Sequence, residues 1–435
     1  MSRVLLSSAV VAVACLSFLS CHGSSGPATI TTRVLASQSV ENASASPGLL
    51  LINGEYDTLV RAPEISAGGS PGLMSLSPDR SILLVFDSSS NNVDVVSART
   101  QSVAGTIPLL GPTTSMVALS IGSGLAAVPS AQMTAAGLPP GAVQVLNLTA
   151  GGITATISVP SAQTVVATPD GNHALAFSND SDAVTVISPL FVNTGTPATT
   201  TVPGFDRPVY AVFSADGSTA YVLNCGPECA SPSATASVQT LNMTTLAVGA
   251  PIPVDGATIG WLNGSTLYVA GTPTASVNNA TPNNSCTGQA TAATTCGRLD
   301  IIDLGSLTVT GSAVITDGYH NRIDMSVNGQ LFIGSHTCTN IGDASNPQGE
   351  VRGCLSIYNT TNGAIVIPPD NGDVTGFQSL TSRYVEYVAE GGNLRVYDTL
   401  IDSLLLDNSN DPSLPETGTI IITGYIIDVK AIDFF

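Results

Sequence analysis

Apolar and polar residues alternate in short runs along almost the whole chain, and the runs recur in one order. Val93-Asp94-Val95-Val96, Val143-Gln144-Val145-Leu146-Asn147, Val184-Thr185-Val186-Ile187, Leu299-Asp300-Ile301-Ile302-Asp303, Leu355-Ser356-Ile357-Tyr358-Asn359 and Leu394-Arg395-Val396-Tyr397-Asp398 change polarity every second residue. Period two with β-branched side chains predicts strands. More uniformly apolar runs also recur: Leu83-Leu84-Val85-Phe86, Ala174-Leu175-Ala176-Phe177, Ala220-Tyr221-Val222-Leu223, Leu267-Tyr268-Val269-Ala270 and Gln330-Leu331-Phe332-Ile333. Tight turns precede them at Ser77-Pro78-Asp79-Arg80, Ile121-Gly122, Thr168-Pro169-Asp170-Gly171, Ser214-Ala215-Asp216-Gly217, Leu262-Asn263-Gly264 and Val327-Asn328-Gly329. Helical periodicity is absent after the N-terminal segment.

The repeating unit is therefore strand, turn, strand, loop, strand, strand, at a spacing of about 40 to 50 residues. That spacing predicts an all-β fold, a single β-propeller of four-stranded antiparallel blades, because such a blade hides both faces only between two neighbours. Ser77-Pro78-Asp79, the run Val85-Phe86-Asp87-Ser88-Ser89-Ser90-Asn91 and Val93-Asp94-Val95-Val96 resemble the YVTN-type β-propeller repeat of bacterial and archaeal surface proteins. The resemblance extends over most of 33–435, most clearly near 70–110 and 207–254, with long insertions in the sixth and seventh units and a degenerate first one. Eight units are expected, at 33–68, 69–110, 111–160, 161–204, 205–255, 256–316, 317–369 and 370–424, with seven blades as the alternative. The first unit lacks its innermost strand, and Ile426-Ile427-Asp428-Val429-Lys430-Ala431-Ile432 reads as that strand, so the C-terminus is expected to close the ring.

Charge and address narrow the function. The chain has 435 residues with 31 acidic and 12 basic side chains, a formal net charge of −19, and Lys430 as its only lysine. A groove for nucleic acid needs cations to replace phosphate counterions, which excludes that partner. Residues 1–20 begin with Arg3 and continue as an apolar run from Val4 to Leu19, the pattern of a secretory signal. Phe18-Leu19-Ser20-Cys21 resembles a bacterial lipobox, with Leu one place nearer the cysteine than usual; an alternative cut follows Ala12-Val13-Ala14. The expected organisation is a signal peptide at 1–20, a lipidated tether at 21–32 starting at Cys21, and the propeller at 33–435. This makes the protein an envelope lipoprotein, periplasmic or on the cell surface, held to the membrane by its lipid alone and working as a monomer. In such an oxidising compartment Cys225 is expected to pair with Cys229, Cys286 with Cys296 and Cys338 with Cys354.

Propeller geometry gathers the second-to-third-strand loops and the blade-to-blade loops on one face. The cysteines fall in such loops at 224–237, 272–297 and 335–353, long insertions that a disulfide would order. The blade-to-blade loops of the same face bring Asp206 and Arg207, then Asp317, Tyr319, His320, Asn321 and Arg322, then Asp370, Asn371 and Asp373; His336 begins the seventh-unit insertion. These residues form the candidate ligand-binding face. Arg207 and Arg322 are expected to pair with the Asp317 and Asp206 neighbourhoods or to meet an anionic ligand. His320 and His336 could serve as acid and base or as transition-metal ligands, and Asp370, Asn371 and Asp373 offer oxygens to Ca²⁺, although each group also reads as ordinary loop chemistry. Trp261, the lone tryptophan, is expected in the core. No nucleophile elbow, phosphate loop or dinucleotide fingerprint occurs in context, so no cofactor and no catalytic set is assigned. The leading expectation is a binding or scaffold module for an envelope protein, glycan or small molecule. The alternatives are a metal-assisted hydrolase or lyase using Asp206, Asp317, His320, His336 and Asp373, and a structural surface component.

Overall fold

The computed structural model describes residues 30–39, 48–60, 65–119, 122–133, 138–188, 190, 197–232, 235–273, 296–338, 354–368, 372–405, 418–420, 422 and 424–432. Its strands form 8 antiparallel sheets arranged as an eight-bladed β-propeller. Blade 2 is typical: the inner strand Pro71–Leu76 pairs with Ile82–Asp87, then Asn92–Ser97, then the outer strand Ser102–Pro108. Among the described residues the helical content is one 3₁₀ turn, Gly226–Cys229.

Second strands read as continuous apolar runs because both of their faces are covered. In blade 2, Leu83 and Val85 enter the core shared with blade 1, while Leu84 and Phe86 enter the core shared with blade 3. Alternation along a strand thus feeds two hydrophobic layers at once. Each junction around the ring has its own cluster of this kind, including the one between blades 8 and 1, where Val34, Ile52, Tyr387, Val396 and Val429 meet.

A side-chain turn recurs where the inner strand passes to the second. Ser77, Thr168, Ser214 and Ser326 donate their hydroxyls to Asp79, Asp170, Asp216 and Asn328 at 2.6, 2.6, 2.6 and 2.7 Å. The same hydroxyls accept the backbone N–H of Ile82, His173, Thr219 and Gln330. These bonds favour the ionised acid, and Asp216 is drawn down to about 2 chiefly by Ser214 and Ser218. Gly171 and Gly217 hold φ values of 70° and 69° in these turns, a region that glycine enters without strain.

The ring closes as the sequence predicts. Tyr425–Ala431 is the inner strand of blade 1 and runs antiparallel to Arg33–Ser39, with Leu35 opposite Lys430 and Ala36 opposite Val429. Asp428 extends the closure into blade 2, where its Oδ2 accepts the Met74 N–H at 2.9 Å. On the other side, Arg383 of blade 8 makes two 2.8 Å bonds to the Asp57 carboxylate of blade 1, which also accepts the Tyr387 hydroxyl. The outer edge of blade 8 is split: Ser403–Leu404 and Thr419–Ile420 both pair with Asn393–Asp398.

Candidate functional site

The inner strands begin on the loop-rich face, and several begin with the same irregularity. In blades 4, 5, 7 and 8 the register slips near the first residues, leaving Gln163, Val209, Asn321 and Thr375 without a partner across the ladder. A bulged residue is freed from pairing and its side chain is re-aimed. Three of these four, Gln163, Val209 and Asn321, line one cavity of about 470 Å³ at the channel mouth. Tyr319, Arg322 and His336 of blade 7, Tyr210 of blade 5, Ser178 and Asn179 of blade 4 and Thr114 of blade 3 complete much of its wall.

Tyr319 and His336 face each other across the ladder and stack, with centroids 5.6 Å apart and planes inclined by 15°. Tyr319 remains 37% exposed, leaving part of it open to a visitor. Its phenol is pushed up to about 12, first by burial around the hydroxyl and then by the charge of Glu228. His336 is shifted down by burial and by Arg322, against the opposing pull of Asp373. Arg322 donates through Nε to the Thr375 carbonyl at 2.6 Å and through Nη1 to the Asn321 carbonyl at 3.0 Å. Asn321 Oδ1 is buried without a hydrogen-bond partner among the described residues.

A relay from neighbouring blades positions this wall. The 3₁₀ turn closed by the Cys225–Cys229 disulfide presents Glu228, whose carboxyl accepts the Thr272 N–H at 2.9 Å. Burial lifts Glu228 to about 8, so it is largely protonated at neutral pH. Thr272 in turn donates its hydroxyl to the Gly318 carbonyl at 2.7 Å. Gly318 has φ of 91°, and a Cβ there would lie 2.6 Å from the His336 carbonyl oxygen, so glycine is needed where the chain turns into Tyr319. Beyond His336, the Cys338–Cys354 disulfide spans the seventh-unit insertion, and Asp373 Oδ1 accepts the Thr337 N–H at 2.9 Å.

The candidate face is thus only partly one site. Tyr319, Asn321, Arg322 and His336 come together in the cavity, with Asp373 behind His336. His320 is fully buried: its Nε2 donates to the Thr316 carbonyl at 3.0 Å, and burial pushes it down to about 4, keeping it neutral. Asp206 accepts a hydroxyl from Ser231, and the Asp317 carbonyl accepts one from Ser335 at 2.7 Å. The expected arginine partners are replaced. Arg207 lies 3.5 and 3.9 Å from Asp180 and Asp182 of blade 4, which reach it across the blade junction, and Arg322 bonds to backbone carbonyls. Trp261 packs against the core between blades 6 and 7 and also borders the channel. Cys296 is disulfide-bonded, while its expected partner Cys286, together with Asp370, Asn371 and Cys21, lies outside the described residues. Among the described residues no group of three His, Cys, Asp or Glu side chains could hold a metal ion.

Glu228, Thr272, Gln163 and Tyr210 were not singled out by the sequence. The one available signal was positional, since Gln163, Val209 and Asn321 occupy equivalent places at the start of their repeats. No protein-family model and no curated protein matches the chain. Solved structures do. The dihydro-heme d1 dehydrogenase NirN, in complex with DHE, aligns with a TM-score of 0.58 at 11% identity, covering 92% of this chain and 75% of that one. A putative 6-phosphogluconolactonase from Bacteroides fragilis gives 0.51 at 12% identity, covering 93% and 99%. The computationally designed Ika8 protein gives 0.52 at 10% identity, covering 84% and 96%. At these identities the likeness is one of fold, and function rests on the site.

Proposed function

We propose that this protein is an extracytoplasmic binding module, a YVTN-type propeller lipoprotein tethered through Cys21, that captures a small ligand at the mouth of its loop-rich face. The observation that carries the proposal is the convergence of a partly open Tyr319–His336 stack, the Arg322 guanidinium and Asn321 on one 470 Å³ cavity. A cavity with an aromatic wall and a few convergent polar groups is the usual form of a small-molecule site. The Cys225–Cys229 disulfide supports it by fixing the turn that presents Glu228 behind the wall, which lowers the ordering cost of binding. The hydrolase alternative gains less support, because it needs His320 and His336 on one reactant, and His320 is sealed and committed to Thr316.

Two measurements test the proposal. Metabolic labelling with radioactive palmitate should mark the wild-type protein and leave Cys21→Ser unlabelled; equal labelling would remove the lipoprotein assignment. A thermal-shift panel of neutral saccharides, amino acids and small carboxylates should contain compounds that raise the melting temperature of the wild type. A ligand present at about a hundred times its Kd adds about 2.7 kcal/mol to stability. Tyr319→Ala should lose the shift while folding normally, and an unchanged shift in that variant would place binding elsewhere.

A further inference from the structure

A second cavity, of about 750 Å³, lies below the first along the channel. Ser115 and Tyr210 line both, so the two spaces are stacked. The lower one is walled largely by apolar side chains, among them Met116, Val166, Val212, Phe213, Trp261 and Leu262. The upper one holds Asn321, Arg322 and His336. In a chain of net charge −19, the one permanently charged side chain among the described residues lining either cavity is an arginine, Arg322. Its Nε and Nη1 are engaged by backbone carbonyls, and Nη2 has no hydrogen bond or ion pair among the described residues.

We infer that the channel takes a carboxylate-headed amphiphile, with the carboxylate on Arg322 and the apolar tail in the cavity beneath. A guanidinium already fixed through Nε and Nη1 loses little freedom when it meets a carboxylate, and such charge-assisted bonds are the stronger class. The lower cavity gives water few partners, so an alkyl tail displaces water that is held weakly. Long-range repulsion by the acidic surface is screened beyond about 10 Å at moderate ionic strength, leaving the local guanidinium to decide. The inference rests on the proposal that the loop-rich mouth is a binding entrance and adds the class of ligand.

The single tryptophan supplies the readout, because Trp261 borders the cavity assigned to the tail. Titration of the intact protein with decanoate should change Trp261 emission saturably. Decanol should bind roughly tenfold or more weakly than decanoate, and Arg322→Gln should weaken decanoate by a similar factor. Decanol binding as tightly as decanoate, or no saturable change with either, would overturn the inference. The comparison of decanoate with decanol is made on the wild-type protein, so it holds even if Arg322→Gln fails to fold. If neither amphiphile binds while a saccharide or amino acid still gives a Tyr319-dependent thermal shift, the ligand class is wrong and the binding mouth stands. If neither occurs, both fall.

Discussion

The closing seam and the channel mouth both place polar groups inside the ring, and they treat them in opposite ways. At the seam between blades 8 and 1, Asp57 accepts two bonds from Arg383 and one from Tyr387, and Asp428 divides its oxygens between the Met74 N–H and Lys430. At the mouth, the Tyr319–His336 stack is partly open, and Asn321 Oδ1 is buried with no hydrogen-bond partner among the described residues. A buried polar group costs stability when it is unpaired and roughly breaks even when paired. The seam therefore uses polarity to fix which strand closes the ring, whereas the mouth carries a local cost and does not depend on its polar groups for closure.

The largest break in this contrast is removal of the seam strand itself. Deleting residues 425–435 removes Val429, exposes the junction core around Val34, Ile52 and Val396 and leaves Arg33–Ser39 as an open edge. The expected result is loss of a cooperative thermal transition by circular dichroism, together with early elution on size exclusion. Asp57→Ala comes next. It leaves Arg383 and Tyr387 without their shared acceptor at a partly exposed site, at an expected cost of about 2–3 kcal/mol in denaturant unfolding.

How much of this was legible in the sequence follows the range of the interactions. Period-two runs and the Ser/Thr-x-Asp/Asn turns are local, so the blades, their number and the closing strand could be read directly. The disulfides Cys225–Cys229 and Cys338–Cys354 were readable because each closes a short stretch of chain. Pairings across a blade junction were not. Arg207 finds Asp180 and Asp182 instead of Asp317, because the adjacent blade, about one repeat earlier in sequence, is what lies beside it. The mouth was legible as a face but not as a cavity, since bulges at Gln163, Val209 and Asn321 decide which side chains turn inward. His320 and Asn321 are adjacent residues with opposite fates for that reason.

Two smaller effects sharpen the comparison. Replacing both Cys338 and Cys354 with serine should cost at most about 3 kcal/mol, the entropy of a loop of this size, and leave the propeller folded. Limited proteolysis should then cut within 339–353 before anywhere else, whereas global unfolding would contradict the placement of that bridge at the rim.

Glu386 supplies the pH test. Between blades 7 and 8 it faces Asp324, with Ser379 and Lys430 nearby, and burial followed by the Asp324 charge raises its pKa well above the ordinary glutamate value. The unfolded chain releases this proton near pH 4.3 to 4.5, while the folded chain keeps it to higher pH. The folded state then binds more protons, so this group makes stability fall as pH rises from about 4.5 toward neutrality. Glu386→Gln should flatten that fall and raise the melting temperature slightly at pH 7. A steeper fall would contradict the assignment.

The most direct test of the contrast between seam and mouth is the melting temperature of Asn321→Ala beside that of Asp57→Ala, each without ligand. If the mouth is not held together by its polar groups, removing the Asn321 oxygen, which has no partner among the described residues, leaves the protein as stable as the wild type or slightly more so, while Asp57→Ala falls by several degrees. A loss of stability in Asn321→Ala equal to that in Asp57→Ala would mean that the mouth is held together by its polar groups as the seam is, and that its assignment as a binding site is wrong.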